Sequence, residues 1–248
     1  MRLACAQSVR RLIFYVENSM EYLPNGYTLE FAPGTFPLST DSMLLSHFVR
    51  LPKNAKVLDL GAGCGTLGLM LCADDPGCAV TGIEIDETAH RAAVENIRRN
   101  DLTCRMESIC GDLRRIPEMV PSGSYDIIVS NPPYFSGGPA SKATPIARRD
   151  DCCDIDALMT SAAWAVKFGG YFYLVHKPER LAELITKASV HNLEAKKLRL
   201  VRHKETGPVS MILLQFRKGA KPGLTLDEVF LFDQNGDPSD TYREIYHL

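Results

Sequence analysis

No stretch of this sequence approaches the ~20 consecutive apolar residues that a bilayer-spanning helix needs. The opening MRLACAQSVRRLIFYV is interrupted by Gln7, Ser8, Arg10 and Arg11, so it also lacks the continuous apolar core of a secretion signal. A soluble protein is expected. Metal-ligand spacing is missing too: Cys5, Cys64, Cys72, Cys78, Cys104, Cys110, Cys152 and Cys153 contain no C-x-x-C pair, and no histidine cluster completes a zinc site. Several of these cysteines sit in apolar runs, where a free thiol behaves as a small hydrophobe. Reduced thiols in a cytoplasmic protein, and no metal, are therefore expected. Excess charge of either sign is absent, since 28 Lys+Arg against 30 Asp+Glu give a net charge of −2, which excludes a global field that gathers a polyanion. No repeat or low-complexity tract occurs, and 45% hydrophobic with 23% charged residues excludes disorder as the main state.

What is present is an alternation of short apolar runs with amphipathic stretches from residue 55 onward. AKVLDL reads as a strand, TLGLMLCAD as a helix opening at Thr66, and AVTGIEI as a second strand. A helix follows from Asp86 to about Asn100, then the strands CRMESIC and YDIIVS, then a helix from about Ile155 to Val166 stopped by FGG. YFYLVH is the fifth strand, and a helix opening near Pro178 leads to two further strand-like runs, KLRLVRH and SMILLQF. Strands alternating with helices imply βαβ units in a doubly wound, mostly parallel sheet. The closing pair, with no helix between its members, implies an antiparallel edge. Residues 1–38 read as an N-terminal arm or hairpin, with Thr40 to Val49 a helix after it. Residues 39–218 form the core, and 219–248 a C-terminal elaboration with one more strand and a short helix, packed on that core.

VLDLGAGCGTLGL sets Gly61, Gly63 and Gly65 in the turn between the first strand and its helix, where the backbone must turn sharply and let a ligand approach. Gly63, Gly65 and Gly68 also satisfy G-x-G-x-x-G, with Glu84 following Gly65 by 19 residues, so an NAD-type dinucleotide is an alternative. That frame starts two residues later than the turn itself. It also places the Asp59 carboxylate beside a pyrophosphate, whereas a cationic amine or sulfonium suits Asp59 better. A dehydrogenase would need a hydride-handling residue, for which His176 at the end of the fifth strand is the candidate.

DLGAGCG resembles the first motif of class I S-adenosylmethionine-dependent methyltransferases. The resemblance implies a Rossmann-like, seven-stranded fold and S-adenosylmethionine as cofactor. It also implies that Glu84 in GIEID accepts the ribose hydroxyls and that Asp112 in CGDL meets the adenine. Each acidic residue taken alone reads first as a helix N-cap or a surface charge, but Asp59, Glu84 and Asp112 in order at the ends of three successive strands reverse that reading.

The fourth strand runs into SNPPYF. Pro132 and Pro133 lack a donor N–H and have φ locked, so they end the strand in a stiff loop. A plain strand-terminating turn in which Tyr134 packs would look similar. Asn131, Pro132, Pro133 and Tyr134 match in full the [DN]-P-P-[FYW] motif of methyltransferases acting on planar amino groups. The Asn131 side-chain oxygen and the Pro132 carbonyl can accept the two hydrogens of a conjugated amine, while Tyr134 offers a stacking face. Enzymes with this motif include adenine N6-methyltransferases of DNA and RNA, guanine N2-methyltransferases of ribosomal RNA, and glutamine methyltransferases of release factors.

FPLSTDSMLLSHFV, NPPYFSGG, ARRD and GGYFYLVHKPERLAELI together resemble the bacterial tRNA-valine adenine N6-methyltransferase family. By that resemblance Thr40 and Asp41 help close the cofactor pocket, and Arg148 or Arg149 sits near an anticodon-loop adenine. ARRD departs from the more usual A-R-H-E. Other candidates for RNA phosphates are Lys142, Lys196, Lys197, Arg199, Arg202 and Lys204, the last five of which equally fit the solvent side of an edge strand.

Overall fold

The structure, a computed structural model, describes residues 20–23, 26–31, 38–133, 154–246 and 248. Two short strands, β1 (Met20–Tyr22) and β2 (Thr28–Glu30), pair antiparallel with Met20 opposite Glu30. Helix α1 (Thr40–Phe48) leads into the first unit of the large sheet, β3 (Lys56–Leu60), α2 (Thr66–Asp74) and β4 (Ala79–Glu84). Next come α3 (Glu87–Arg99), β5 (Met106–Cys110), a 3-10 turn at Leu113–Arg115 and the short α4 (Ile116–Met119). The rest comprises β6 (Tyr125–Ser130), α5 (Ile155–Ala165), β7 (Val166–His176), α6 (Leu181–Val190), β8 (Leu193–Lys204), β9 (Val209–Lys218), β10 (Thr225–Phe232) and α7 (Asp240–Tyr246).

Among the described residues the large sheet has eight strands in the order β10-β8-β9-β7-β6-β3-β4-β5. Strands β3 to β7 are mutually parallel, β9 is antiparallel to both β7 and β8, and β10 is parallel to β8. The sequence leads one to expect seven strands with the antiparallel member at the edge. The expected tail strand, β10, joins the sheet as its eighth member, and the antiparallel member β9 lies inside the sheet rather than at its edge. The β8–β9 pair folds back so that β9 lies against β7, and β10 then adds outside β8. One apolar cluster joins α1, α2 and α3 to one face of the sheet, and a second joins α5 and α6 to the other, which is the doubly wound arrangement.

The amphipathic pattern of α3 buries Ala89, Ala93, Asn96 and Ile97, and Asp86 caps it by accepting the Ala89 N–H at 2.8 Å. Gly68 in α2 is a packing glycine. A Cβ there would stand 2.3 Å from Cε of Met106 in β5, so the Met106 side chain would have to shift to admit it. FGG does not separate α5 from its strand as its composition suggests, since β7 starts at Val166, directly after α5. Its glycines serve an irregularity within the strand: Gly169 has φ +79°, a Cβ on Gly170 would meet the Asp126 carbonyl at 2.8 Å, and the β6–β7 register shifts between Tyr125 and Ile127. No helix among the described residues is long and apolar enough to cross a membrane.

Candidate active site

In an open parallel sheet, ligands bind beyond the carboxyl ends of the strands, where the order reverses. Here the reversal lies at β3, flanked by β4 and β6. The chain leaves β3 through Gly61, Gly63 and Gly65, all with positive φ (77°, 56° and 88°), a conformation that costs other residues strain. Gly61 and Ala62 donate their N–H groups to the Ile83 carbonyl at 2.9 and 3.0 Å, which ties the turn to β4. A Cβ placed on Gly61 or Gly63 meets nothing within 4 Å among the described residues, which leave open space in front of the turn.

Asp59 sits just before this turn, 1% exposed, and neither of its oxygens has a hydrogen-bond partner among the described residues. Burial, with the Glu84 charge added, pushes its pKa up to about 8. A buried, unpartnered carboxyl fits a site whose missing partner is a cationic ligand. Glu84 at the end of β4 has work already: Oε2 accepts the Gly63 N–H at 2.7 Å and Oε1 accepts the Asp86 N–H at 2.8 Å. Burial raises its pKa, and these two bonds oppose the rise. Glu84 thus braces the glycine turn. Each carboxylate oxygen keeps a second lone pair for a hydroxyl donor.

Asp112 follows β5 as the N-cap of the 3-10 turn, accepting the Arg114 N–H at 2.9 Å. The hydrogen bond from the Arg114 side chain holds its pKa below the ordinary value.

At the end of β6, the buried Ser130 donates Oγ–H to the Leu60 carbonyl at 2.7 Å, joining the ends of two neighbouring strands. Asn131 follows, and its Nδ2 donates to Ser42 Oγ in α1 at 2.9 Å. Pro132 is buried and Pro133 half-buried. Asp41 is half-buried in the first turn of α1, and Thr40 Oγ1 lies 3.1 Å from the Tyr246 hydroxyl in α7. Tyr134, Lys142, Arg148 and Arg149 lie outside the described residues.

The β8 cations are spread along the strand, and four of them have partners of their own. Lys197 pairs with Asp227 at 2.9 Å, Arg199 binds the same carboxylate in two-pronged fashion at 2.8 and 2.7 Å, and Arg202 pairs with Glu228 at 3.3 Å. Lys196 donates to the Lys221 carbonyl at 3.0 Å. β8 runs in the same sense as β7, so Lys204 reaches the crevice edge of the sheet while Lys196 and Lys197 lie toward the opposite edge. His176, the hydride-handling candidate, is buried at the end of β7, accepts the Lys177 N–H on Nδ1 at 2.8 Å, and has its pKa lowered by burial.

Sequence reasoning passed over Ser42 and Asn96. Asn96, 0% exposed in α3, accepts the Glu30 N–H at 2.9 Å and donates to the Glu30 carbonyl at 2.9 Å and the Cys64 carbonyl at 3.0 Å. It joins the N-terminal hairpin to the glycine turn. Asn100, one helical turn on, does the same for Thr28, accepting its N–H at 2.8 Å and donating to its carbonyl at 2.7 Å. The spacing of the two Asn residues by four on one helix was the available signal.

Residues 38–199 match the family model "Methyltransferase small domain". A relative from Bacteroides fragilis, named tRNA1(Val) (adenine(37)-N6)-methyltransferase, is 31% identical over 215 residues, covering 84% of this chain and 90% of its own. A relative of the same name from Photobacterium profundum is 28% identical over 207 residues, covering 82% and 86%. Among solved structures, one described as a predicted O-methyltransferase from Agrobacterium tumefaciens superposes with a TM-score of 0.71 at 19% identity, covering 84% of this chain and 96% of its own. The Streptomyces coelicolor geranyl diphosphate C-methyltransferase, solved with S-adenosyl-L-homocysteine, gives 0.55 at 11% identity, covering 71% and 79%, a likeness of fold. These matches set aside the dinucleotide alternative. The open glycine turn and the unpartnered Asp59 fit the cofactor that the match implies, and the chain belongs to the methyltransferase small-domain family as a class I S-adenosylmethionine-dependent methyltransferase.

Proposed function

We propose that the enzyme methylates the exocyclic N6 of an adenine in tRNA, in the anticodon loop. The observation that carries this is Asn131 followed by Pro132 and Pro133 directly after β6, with the Asn131 amide nitrogen turned to Ser42. The names of the relatives from Bacteroides fragilis and Photobacterium profundum support the same substrate.

An exocyclic amine conjugated to its ring is a poor nucleophile because its lone pair is delocalised. Acceptance of its two hydrogens by Asn131 Oδ1 and the Pro132 carbonyl stabilises the positive charge that develops on nitrogen and aims its lone pair. When bound, S-adenosylmethionine supplies an electrophilic methyl group on a sulfonium, and displacement at that carbon requires no nucleophilic side chain or metal. Tyr134 stacks on the base once it has left the loop stack, a contact worth about 1–3 kcal/mol. Gly61, Gly63 and Gly65 admit the cofactor, Glu84 receives the ribose hydroxyls while bracing the turn, Asp112 meets the adenine, and Asp59 faces the cationic part. Thr40 and Asp41 border the pocket, and Arg148 or Arg149 contacts the RNA together with Lys142.

The test is incubation with labelled donor and, separately, total tRNA, ribosomal RNA, DNA and a release factor, followed by nucleoside and amino-acid analysis. Label in N6-methyladenosine of tRNA is expected. Label confined to guanine of ribosomal RNA, or to glutamine of protein, would transfer the enzyme to another branch of NPPY methyltransferases. Asn131→Ala is expected to lower transfer by at least 100-fold, in the range seen when one stabilising group is removed, with S-adenosylhomocysteine binding largely kept.

A further inference from the structure

The amide of Asn131 can serve as an acceptor in only one of its two orientations. Rotated by half a turn, it presents an NH2 group to an NH2 group, and recognition becomes repulsion. The terminal torsion of Asn is intrinsically broad and two-fold, so something outside the residue has to choose. We propose that Ser42 is the positioning residue that makes this choice, on the premise that Asn131 is the amine acceptor of the proposed function.

The choice starts from a backbone donor. The N–H of Ser42 can only donate, and it donates to Ser39 Oγ at 3.3 Å as part of the cap of α1. That leaves the Ser39 hydroxyl hydrogen to point onward, and it is directed at Ser42 Oγ at 3.3 Å. Ser42 Oγ keeps a second lone pair, and with it accepts from Asn131 Nδ2 at 2.9 Å, across 89 residues of sequence. The amide oxygen is then turned away from α1. The first turn of a helix is thus connected through two serines to the amide that follows β6.

The support is rigid at both ends. Ser42 is 7% exposed, and the residues after it, Met43, Leu44, Leu45 and Phe48, are buried in the core between α1 and the sheet. At its other end the relay meets a loop stiffened by Pro132 and Pro133. A group that must hold its geometry to a fraction of an ångström gains from being referenced to a packed helix in this way. Ser42 itself acts through Asn131 and touches neither the cofactor nor the amine.

The experiment measures kcat and KM for tRNA at saturating S-adenosylmethionine, S-adenosylhomocysteine affinity by calorimetry, and Tm, in Ser42→Ala, Ser42→Thr, Asn131→Ala and the double variant Ser42→Ala/Asn131→Ala. Ser42→Ala is expected to lower kcat about 3- to 12-fold, the range of one hydrogen bond, with S-adenosylhomocysteine affinity within twofold of the parent. Ser42→Thr, which keeps the hydroxyl, should recover most of the loss, and the double variant should be no worse than Asn131→Ala. If kcat in Ser42→Ala stays within twofold while Asn131→Ala is inactive, the positioning role is refuted and the amine-acceptor role stands. If Asn131→Ala itself transfers normally, the premise fails first. A Ser42→Ala loss matched by weaker S-adenosylhomocysteine binding and unrescued by Thr assigns Ser42 to general structure and also overturns the proposal.

Discussion

The two halves of the sheet treat their polar side chains in opposite ways. Around β3, β4 and β6 they converge on backbone: Glu84 holds Gly63, Asn96 holds Cys64, Ser130 holds Leu60, and Asp59 is left buried with nothing to hold. Along β8 and β10 they cancel, with Lys197 and Arg199 on Asp227 and Arg202 on Glu228. Arg199 and Lys197 also lie over the ring of Phe48, at 5.3 and 5.5 Å from its centroid. A fold can be stable with either arrangement. Only the first leaves an incomplete partnership in its interior, and an incomplete partnership is what a ligand can finish.

The largest expected effect of breaking this contrast comes from Asn96. Asn96→Leu removes, at a fully buried position, the bonds that Asn96 makes with the Glu30 N–H and with the Glu30 and Cys64 carbonyls. A loss of about 3 kcal/mol is expected, seen as a Tm lower by roughly 6–12 °C. Loosening of the glycine turn should appear as faster amide exchange at 61–65. Asn100→Leu removes the neighbouring Thr28 bonds without touching the turn. It should leave exchange at 61–65 unchanged, and equal acceleration in both variants would break the link drawn between hairpin and turn.

That difference also marks what the sequence could disclose. The alternation of strand and helix from β3 to β6 is local, carried by periodicity, by the Asp86 cap and by glycines whose positive φ the turn demands, so it was legible. The ends of successive strands carrying Asp59, Glu84 and Asp112 were legible as positions for the same reason. Non-local pairings were not. That β9 returns to β7 and that β10 joins β8 depends on contacts between distant segments, and FGG reads alike whether it stops a helix or shapes a bulge. Likewise KKLRLVRHK shows a run of cations and hides the acids of β10 that meet them. Ser42 looked like one residue of an ordinary helix start because its partner lies 89 residues away.

A second effect follows from Asp59. Its folded pKa of about 8 lies above the ordinary carboxylate value, so between roughly pH 4 and 8 the folded state binds a proton that the unfolded state has released. Stability of the cofactor-free protein should therefore fall as pH rises through that window and level off above it. Asp59→Asn removes this dependence and should raise cofactor-free stability at pH 7.5 by about 1–3 kcal/mol, measured by thermal unfolding. The same change is expected to weaken S-adenosylmethionine about 10- to 100-fold, the size of a charge-assisted contact of about 1.5–3 kcal/mol. Calorimetry in buffers of different ionisation enthalpy should detect proton release on binding near pH 7 in the parent and none in Asp59→Asn. Identical proton release in both would place the titrating group elsewhere, with Glu84 the next to examine.

The smallest effects should come from β8, and they separate its two ends. Lys197 is spent on Asp227 and lies toward the edge of the sheet remote from the crevice, whereas Lys204 is exposed at the crevice edge. Lys197→Ala should leave KM for tRNA unchanged and cost about 0.2–1 kcal/mol of stability, as partly exposed ion pairs do. Lys204→Ala should cost no stability and raise KM for tRNA about two- to fivefold at low salt. Its slope of log affinity against log salt should be shallower by about 0.7–0.9, the loss of one phosphate contact. The opposite result, with tRNA binding falling in Lys197→Ala and not in Lys204→Ala, would mean that the Asp227 pairing gives way to RNA, and that the cancelled half of the sheet is a binding surface held in reserve.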